Sequence, residues 1–174
     1  MIFNTYYWQR ELERLALILR RHMAQRRWVA ASDASVEKSV MLGFYALRKM
    51  LESFNPAVNC PNHIKLTTFP RGPGKLSPIV FPAVSDAFVL TKPRITSMAI
   101  LDVCNEIIHS HFFSLWVDPF QALQGVFFAS DRKKDERVCR LDVQKIVELF
   151  EGVARSRAPV SLSHFVQENN RVVM

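Results

Sequence analysis

Three polar side chains interrupt the most apolar helix-like segment of the chain, residues 95–113. Asp102, Asn105 and His109 follow one another at spacings of three and four residues, which places them on one face of a helix. Most of the surrounding residues are apolar, so we expect the helix to be largely buried and its polar groups to need partners. An imidazole that titrates near neutral pH is suited to moving protons. These three residues are therefore candidates for catalysis.

A second polar face is predicted on the preceding helix-like segment, residues 34–54. Tyr45, Arg48 and Glu52 have the same spacing and lie beside its apolar stripe. If the two helices pack together, all six side chains meet in one cluster, where Arg48 would hold a phosphate through its planar guanidinium. The alternative is a structural network that joins two helices and performs no chemistry. The sequence leaves both interpretations open.

The excess of positive charge indicates a further kind of site. The chain has 23 Lys and Arg against 16 Asp and Glu, a formal net charge of +7. Two clusters supply the candidate nucleic-acid-binding residues: Arg20, Arg21, Arg26 and Arg27, and then Arg132, Lys133 and Lys134. Such clusters are typical of proteins that contact phosphate backbones. The simpler interpretation is a solvated surface, with the first cluster also at the negative pole of a helix.

Hydrophobic periodicity indicates the elements that must position these residues. It predicts helices over 6–28, 34–54, 95–113 and 143–155. Seven of the nine prolines fall between 55 and 94, which predicts a long connection wrapped on the helices.

The C-terminal half adds a small β component. Two β-favouring runs around a charged turn predict a hairpin over 125–141, and residues 156–174 are expected to form a loosely ordered tail. The predicted fold is mainly α: a four-helix-type bundle forming one domain over residues 1–174, with a β-hairpin before the last helix.

Composition argues against several other classes of protein. Cys60, Cys104 and Cys139 have no CxxC spacing, and no HExxH motif is present, so we expect no disulfide framework, metal or cofactor. No apolar run approaches the ~20 residues of a membrane span, and the N-terminus lacks a signal-peptide pattern. These features predict a cytoplasmic protein without a membrane partner.

Two segments of the predicted helices resemble HEPN domains, a nucleotide-binding superfamily of higher eukaryotes and prokaryotes. They are Leu47-Arg-Lys-Met-Leu-Glu52 and Val103-Cys-Asn-Glu-Ile-Ile-His-Ser110. The resemblance implies a small, commonly dimeric helical bundle, often a metal-independent endoribonuclease of toxin–antitoxin, phage-defence or CRISPR systems. Active members carry an arginine, a polar residue and then a histidine. Asn105 and His109 match the last two, but Cys104 stands where the arginine belongs.

The missing arginine shapes the functional prediction. It favours a protein that binds RNA or a nucleotide over a competent ribonuclease, although Arg48 is a candidate to supply the cation from the neighbouring helix. Whether the protein is an enzyme stays open. The expected partners are RNA or a nucleotide, a second copy of the chain, and an antitoxin or other protein. The alternative function is a non-catalytic homodimeric interaction or scaffold protein whose polar cluster is structural.

Overall fold

The computed structural model describes residues 5–52, 59–74 and 83–156, which form five α-helices and a five-stranded antiparallel sheet. In chain order the elements are α1 (Thr5–Ala24), α2 (Ala30–Glu52), β1 (His63–Pro70), α3 (Val84–Ala87), β2 (Arg94–Ala99), α4 (Ile100–Ile108), β3 (Ser110–Val117), β4 (Leu123–Ser130), β5 (Arg137–Asp142) and α5 (Val143–Ala154). The fold is mixed α+β, and the predicted four-helix-type bundle is wrong. The bundle that the HEPN resemblance implied is therefore not the architecture of this chain.

The sheet has the strand order β2-β1-β5-β4-β3, and β1 lies inside it. β1 pairs with β2 on one side and with β5 on the other, where Thr67 faces Arg140. The predicted proline-rich connection over 55–94 thus contains an interior strand. This is permitted because Pro61 precedes the strand and Pro70 is its last residue, so the ladder donors between them are intact.

The predicted helix over 95–113 is instead a strand, a helix and a strand. β2 ends at Ala99, α4 begins at Ile100, and His109 alone separates α4 from β3. The segments on either side of α4 are rich in β-branched and aromatic residues, which find neighbouring strands to pair with. Cross-strand packing therefore outweighs the helical periodicity of this segment, which predicts the structure correctly only in α4.

Helices α1, α2, α4 and α5 pack on one face of the sheet and enclose the larger core. The predicted last helix is present as α5, and its inward residues are buried as expected: Val143, Ile146, Val147, Phe150 and Val153. The predicted hairpin is also present, because β4 and β5 pair antiparallel with Phe127 opposite Arg140. The predicted tail is described only as far as Ser156.

A smaller core covers part of the other face of the sheet. Phe69, Phe112 and Phe127 pack there with Phe88, which follows α3. The face opens toward β2, where Ile95 is 82% exposed. Within the described part of the chain, helices thus cover one face of the sheet, and the smaller core covers the other face on one side only.

Candidate functional site

The predicted stripe on α4 (Asp102, Asn105 and His109) does not form one buried line. Asp102 and His109 are exposed, and His109 is the residue that ends the helix, where its backbone N–H donates to the Asn105 carbonyl at 3.0 Å. Asn105 is half-buried, and its Oδ1 is buried without a hydrogen-bond partner. The three residues therefore lie in different environments.

The α2 residues expected to join this stripe are engaged elsewhere, although α2 does pack against α4. The Tyr45 ring lies 6.2 Å from that of Trp8 on α1 and 5.8 Å from Lys49 Nζ. Arg48 Nε donates to Glu52 Oε1 at 2.7 Å. Within residues 5–52, 59–74 and 83–156, no hydrogen bond or ion pair connects these side chains to the α4 stripe. The six residues are not brought together as one polar cluster.

Cys104, at the position of the missing arginine, lies inside the larger core. It is fully buried, and burial raises the pKa of its thiol to about 12, while the charge of Arg48 acts in the opposite direction. Arg48 is thus close to this position. A phosphate, however, would have to enter the core to reach it.

Sequence reasoning missed a buried ion pair at the end of α4. Glu106 Oε1 accepts a hydrogen bond from Arg137 Nη2. Glu106 Oε2 and Ser110 Oγ are also buried, and no described side chain forms a hydrogen bond with either. Burial raises the pKa of Glu106 in spite of Arg137. For Arg137, burial lowers the pKa, but Cys139 and Glu106 raise it overall. The sequence did indicate such a pair, because Glu106 is a charged residue within the apolar run of α4.

This pair joins α4 to the first residue of β5. Removing one partner of such a pair costs about 3–5 kcal/mol, because the other charge stays buried without compensation. Its clearest role is to hold the helix on the sheet.

The cations of the β4–β5 turn are largely neutralised by their own neighbours. Lys133 Nζ lies 2.9 Å from Glu136 Oε2, and Lys134 Nζ lies 2.6 Å from Asp131 Oδ1. Arg132 is exposed. The turn therefore presents less free positive charge than its sequence indicates.

The basic cluster in the last turns of α1 and the loop that follows keeps more of its charge. Arg20 pairs with Glu151 on α5 at 2.7 Å, and Arg26 donates to the carbonyls of Met23 and Gln25 at the end of α1. Arg21 and Arg27 are exposed and form no ion pair with any described carboxylate. No acidic residue occurs between Arg14 and Asp33 in the sequence. The α1–α2 loop is therefore a basic surface.

Trp28 ties this loop to the β3–β4 turn. Its indole N–H donates to the Gln121 carbonyl at 2.8 Å, and its ring stacks on His22 with 5.8 Å between centroids. Trp28 is thus a structural residue and not a free stacking platform. The exposed aromatic residue at this place is Phe120, one residue before Gln121 and 80% exposed.

The backbone around Phe120 is fixed by Asp118. Its Oδ1 accepts hydrogen bonds from the Phe120 N–H at 2.9 Å and the Ala122 N–H at 2.8 Å, while Gln121 adopts a positive φ of 63°. An Asp-Pro pair at 118–119 is a turn signal that could have indicated this loop. We call Arg21, Arg27, Val29 and Phe120 the loop surface; its two apolar members are 62% and 80% exposed.

Arg140 is a second feature that sequence reasoning missed. Its guanidinium lies 4.1 Å from the centroid of Trp116 and 5.2 Å from that of Phe69, on the sheet face away from the larger core. Its Nε is buried and has no hydrogen-bond partner among the residues that the structure describes. An unmet buried donor costs about 1–3 kcal/mol, so the aromatic contacts must hold this side chain in place.

Comparison with known proteins finds no family model that matches this chain, and no curated protein or solved structure that is similar to it. Across the described part of the chain, no helix is long and apolar enough to span a membrane. The same residues contain no group of three His, Cys, Asp or Glu side chains placed to hold a metal ion.

Proposed function

We propose that this protein binds single-stranded RNA at the loop surface and does not cleave it. The observation that carries the proposal is the presentation of Phe120. The Phe120 ring is 80% exposed and lies on a hydrogen-bonded turn. The hydrogen bond from Trp28 to Gln121 connects this turn to the α1–α2 loop, which contains no acidic residue.

The two components match what a nucleic-acid strand offers. A base stacked on an aromatic side chain contributes about 1–3 kcal/mol, irrespective of sequence. Arg21 and Arg27, which have no described carboxylate partner, supply charge for the phosphates. Arg27 precedes Trp28 and Phe120 precedes Gln121, so the Trp28–Gln121 hydrogen bond restrains the backbone beside both residues. Little conformational entropy is therefore lost when the two side chains bind a ligand.

The state of the α4 stripe supports binding without cleavage. His109 is exposed, and within the described residues no hydrogen bond or ion pair joins its side chain to the α2 residues expected beside it. The position of the missing arginine is in the core. A protein of this kind, cytoplasmic and part of a defence or toxin–antitoxin module, would use RNA as a ligand and not as a substrate.

The test measures affinity for a fluorescein-labelled oligouridine by fluorescence anisotropy over a salt series. We expect Phe120→Ala to weaken binding by about 5- to 150-fold, the equivalent of one stacked base. Arg27→Ala should weaken it and reduce the slope of log affinity against log salt by about 0.7 for each phosphate that is no longer neutralised.

Two variants serve as matched controls. Tyr7, 69% exposed, lies near the start of α1, far along the helix from the loop. Arg132 is exposed on the β4–β5 turn, at the other end of β4 from Phe120. Tyr7→Ala and Arg132→Ala should leave affinity unchanged. Equal losses in the controls, no binding at low salt, or RNA cleavage that His109→Ala abolishes would each contradict the proposal.

A second candidate function is a homodimeric interaction protein. It is favoured by apolar side chains on α1 that face solvent: Tyr6 is 60% exposed and Leu17 is 51% exposed. Both line a shallow pocket beside α5, together with Glu151 and Arg155. Analytical ultracentrifugation should then show a dimer that Leu17→Lys converts to a monomer, and a monomeric wild type would exclude this candidate.

A further inference from the structure

We propose that the open face of the sheet binds a small organic anion, with its phosphate or carboxylate on Arg140 and its apolar body toward Ile95. This site is separate from the loop surface and does not depend on RNA binding. It lies on the opposite side of the sheet from α1, α2, α4 and α5.

Arg140 is held in a way that leaves its hydrogen-bonding capacity unused. The guanidinium carbon of Arg140 lies 4.1 Å from the ring centroid of Trp116 and 5.2 Å from that of Phe69, and these cation–π contacts provide no hydrogen-bond acceptor. An arginine side chain carries five N–H donors in the plane of its guanidinium. No described residue accepts a hydrogen bond from this side chain, and its Nε is buried. Arg140 is half-buried, so part of it can still be reached from solvent. A carboxylate or a phosphate, either of which can accept two parallel N–H bonds, is the natural partner for such an arginine.

Among the described residues, the side chains in the same row as Arg140 supply no competing anion. The strand register gives one row of side chains across this face: Ile95, Thr67, Arg140, Phe127 and Ser114. The row contains no acidic residue. Asp142 lies two residues further along β5, and its carboxylate is 3.1 Å from Lys145 Nζ.

The same row indicates where the rest of the ligand lies. Phe127 is 5% exposed, so the face is closed on the β4 side of Arg140. On the other side, Thr67 is half-buried and Ile95 is 82% exposed. β5 and β2 are two strand spacings apart, about 10 Å, which fits one aromatic ring beside the anionic group.

Four probes separate the contributions of charge and apolar body. Phenyl phosphate and phenylacetate carry both, inorganic phosphate carries charge alone, and benzyl alcohol carries a ring alone. Binding is followed by calorimetry and by the indole N–H signal of Trp116 in ¹⁵N-labelled protein, assigned with Trp116→Phe. We expect phenyl phosphate and phenylacetate to bind and to shift that signal, inorganic phosphate to bind more weakly, and benzyl alcohol not to bind.

Substitutions then locate the site. Arg140→Gln should weaken phenyl phosphate at least about tenfold, the effect of losing one charge-assisted hydrogen bond. Arg140→Lys should fall between that variant and wild type, because lysine keeps the charge without the planar fork. Ile95→Ser should weaken phenyl phosphate and leave inorganic phosphate unchanged.

The matched control is Arg94→Gln, the same change at an exposed arginine of β2 whose register partner is Thr68. It should bind as wild type does, and so should Phe120→Ala, which separates this site from the loop surface. The proposal is overturned if no anion binds the wild type at millimolar concentration, or if Arg140→Gln and Arg94→Gln bind alike.

Discussion

Replacing two helical glycines by alanine should change stability in opposite directions. A Cβ added at Gly43 in α2 would lie 2.1 Å from Phe150 Cε2 and 2.2 Å from its Cζ. A Cβ added at Gly152 in α5 would have only the Asn59 carbonyl nearby, at 3.9 Å. The chemical change is the same in both cases, so the comparison isolates packing from helix propensity.

The magnitudes follow from two opposing effects. Alanine in place of a helical glycine stabilises by about 0.5–1 kcal/mol, somewhat less near a helix end such as position 152. At position 43 the contact is roughly 1.5 Å closer than carbon atoms tolerate, and overpacking costs about 1–3 kcal/mol or more. Phe150 cannot easily turn away, because it is fully buried and packs edge-on against Phe44 at 5.3 Å. Gly43→Ala should therefore lower the free energy of unfolding by about 1–2 kcal/mol, whereas Gly152→Ala should raise it slightly.

Urea unfolding followed by circular dichroism measures both values. Shortening the opposing ring should relieve the contact, so Phe150→Leu combined with Gly43→Ala should cost less than the sum of the single changes, by about 1 kcal/mol. If Gly43→Ala is as stable as Gly152→Ala, the packing argument between α2 and α5 is wrong.

Three further predictions concern the polar and ionisable groups. Because burial raises the folded-state pKa of Glu106 above its value of 4.5, this residue favours the fold fully below pH 4.5 and loses that contribution as pH rises through the raised pKa. Wild type should thus gain stability relative to Glu106→Gln as pH falls from 8 to 4.5 in urea unfolding, and a constant gap would contradict this. Burial raises the pKa of Cys60 and Cys139 to about 11 and that of Cys104 to about 12, so native protein at pH 8 should react with iodoacetamide about 100-fold more slowly than unfolded protein; equal rates would refute the burial. Asp118→Ala removes the acceptor of three hydrogen bonds, from Phe120, Ala122 and Gln124, and should cost about 1–3 kcal/mol in thermal unfolding while α1 and α2 keep their helical signal.

Sequence alone predicted the elements whose signal is local. The inward residues of α5 recur every three or four positions, and the β4–β5 hairpin has two apolar runs around a charged turn. Both are found where they were expected. The bounds of the first two helices differ from the predicted ones by a few residues, because α1 ends at Ala24 and α2 begins at Ala30.

The remainder depended on pairing that no local pattern contains. β1 is a strand because β2 and β5 lie beside it. The pattern of residues 95–113 predicts one helix, but its first part pairs with β1 as strand β2 and its last part pairs with β4 as strand β3. The same is true of the site. The burial predicted for Asp102 and His109 assumed one uninterrupted helix, and both are exposed. Arg140 could not be identified from sequence, because its aromatic contacts come from Phe69 on β1 and Trp116 on β3.

The pairing of β1 with β5 also has a consequence for how the chain folds. Strands β3, β4 and β5 are consecutive in sequence, but Thr67 and Arg140 face each other from positions 73 residues apart. Closing a loop of that length costs about 4 kcal/mol of chain entropy before any contact compensates for it. Such long-range pairings dominate the folding barrier, so this rung should form late. The same rung forms the surroundings of Arg140, so an anion would bind there only when the sheet is complete. Its binding would therefore stabilise the native state relative to the unfolded chain.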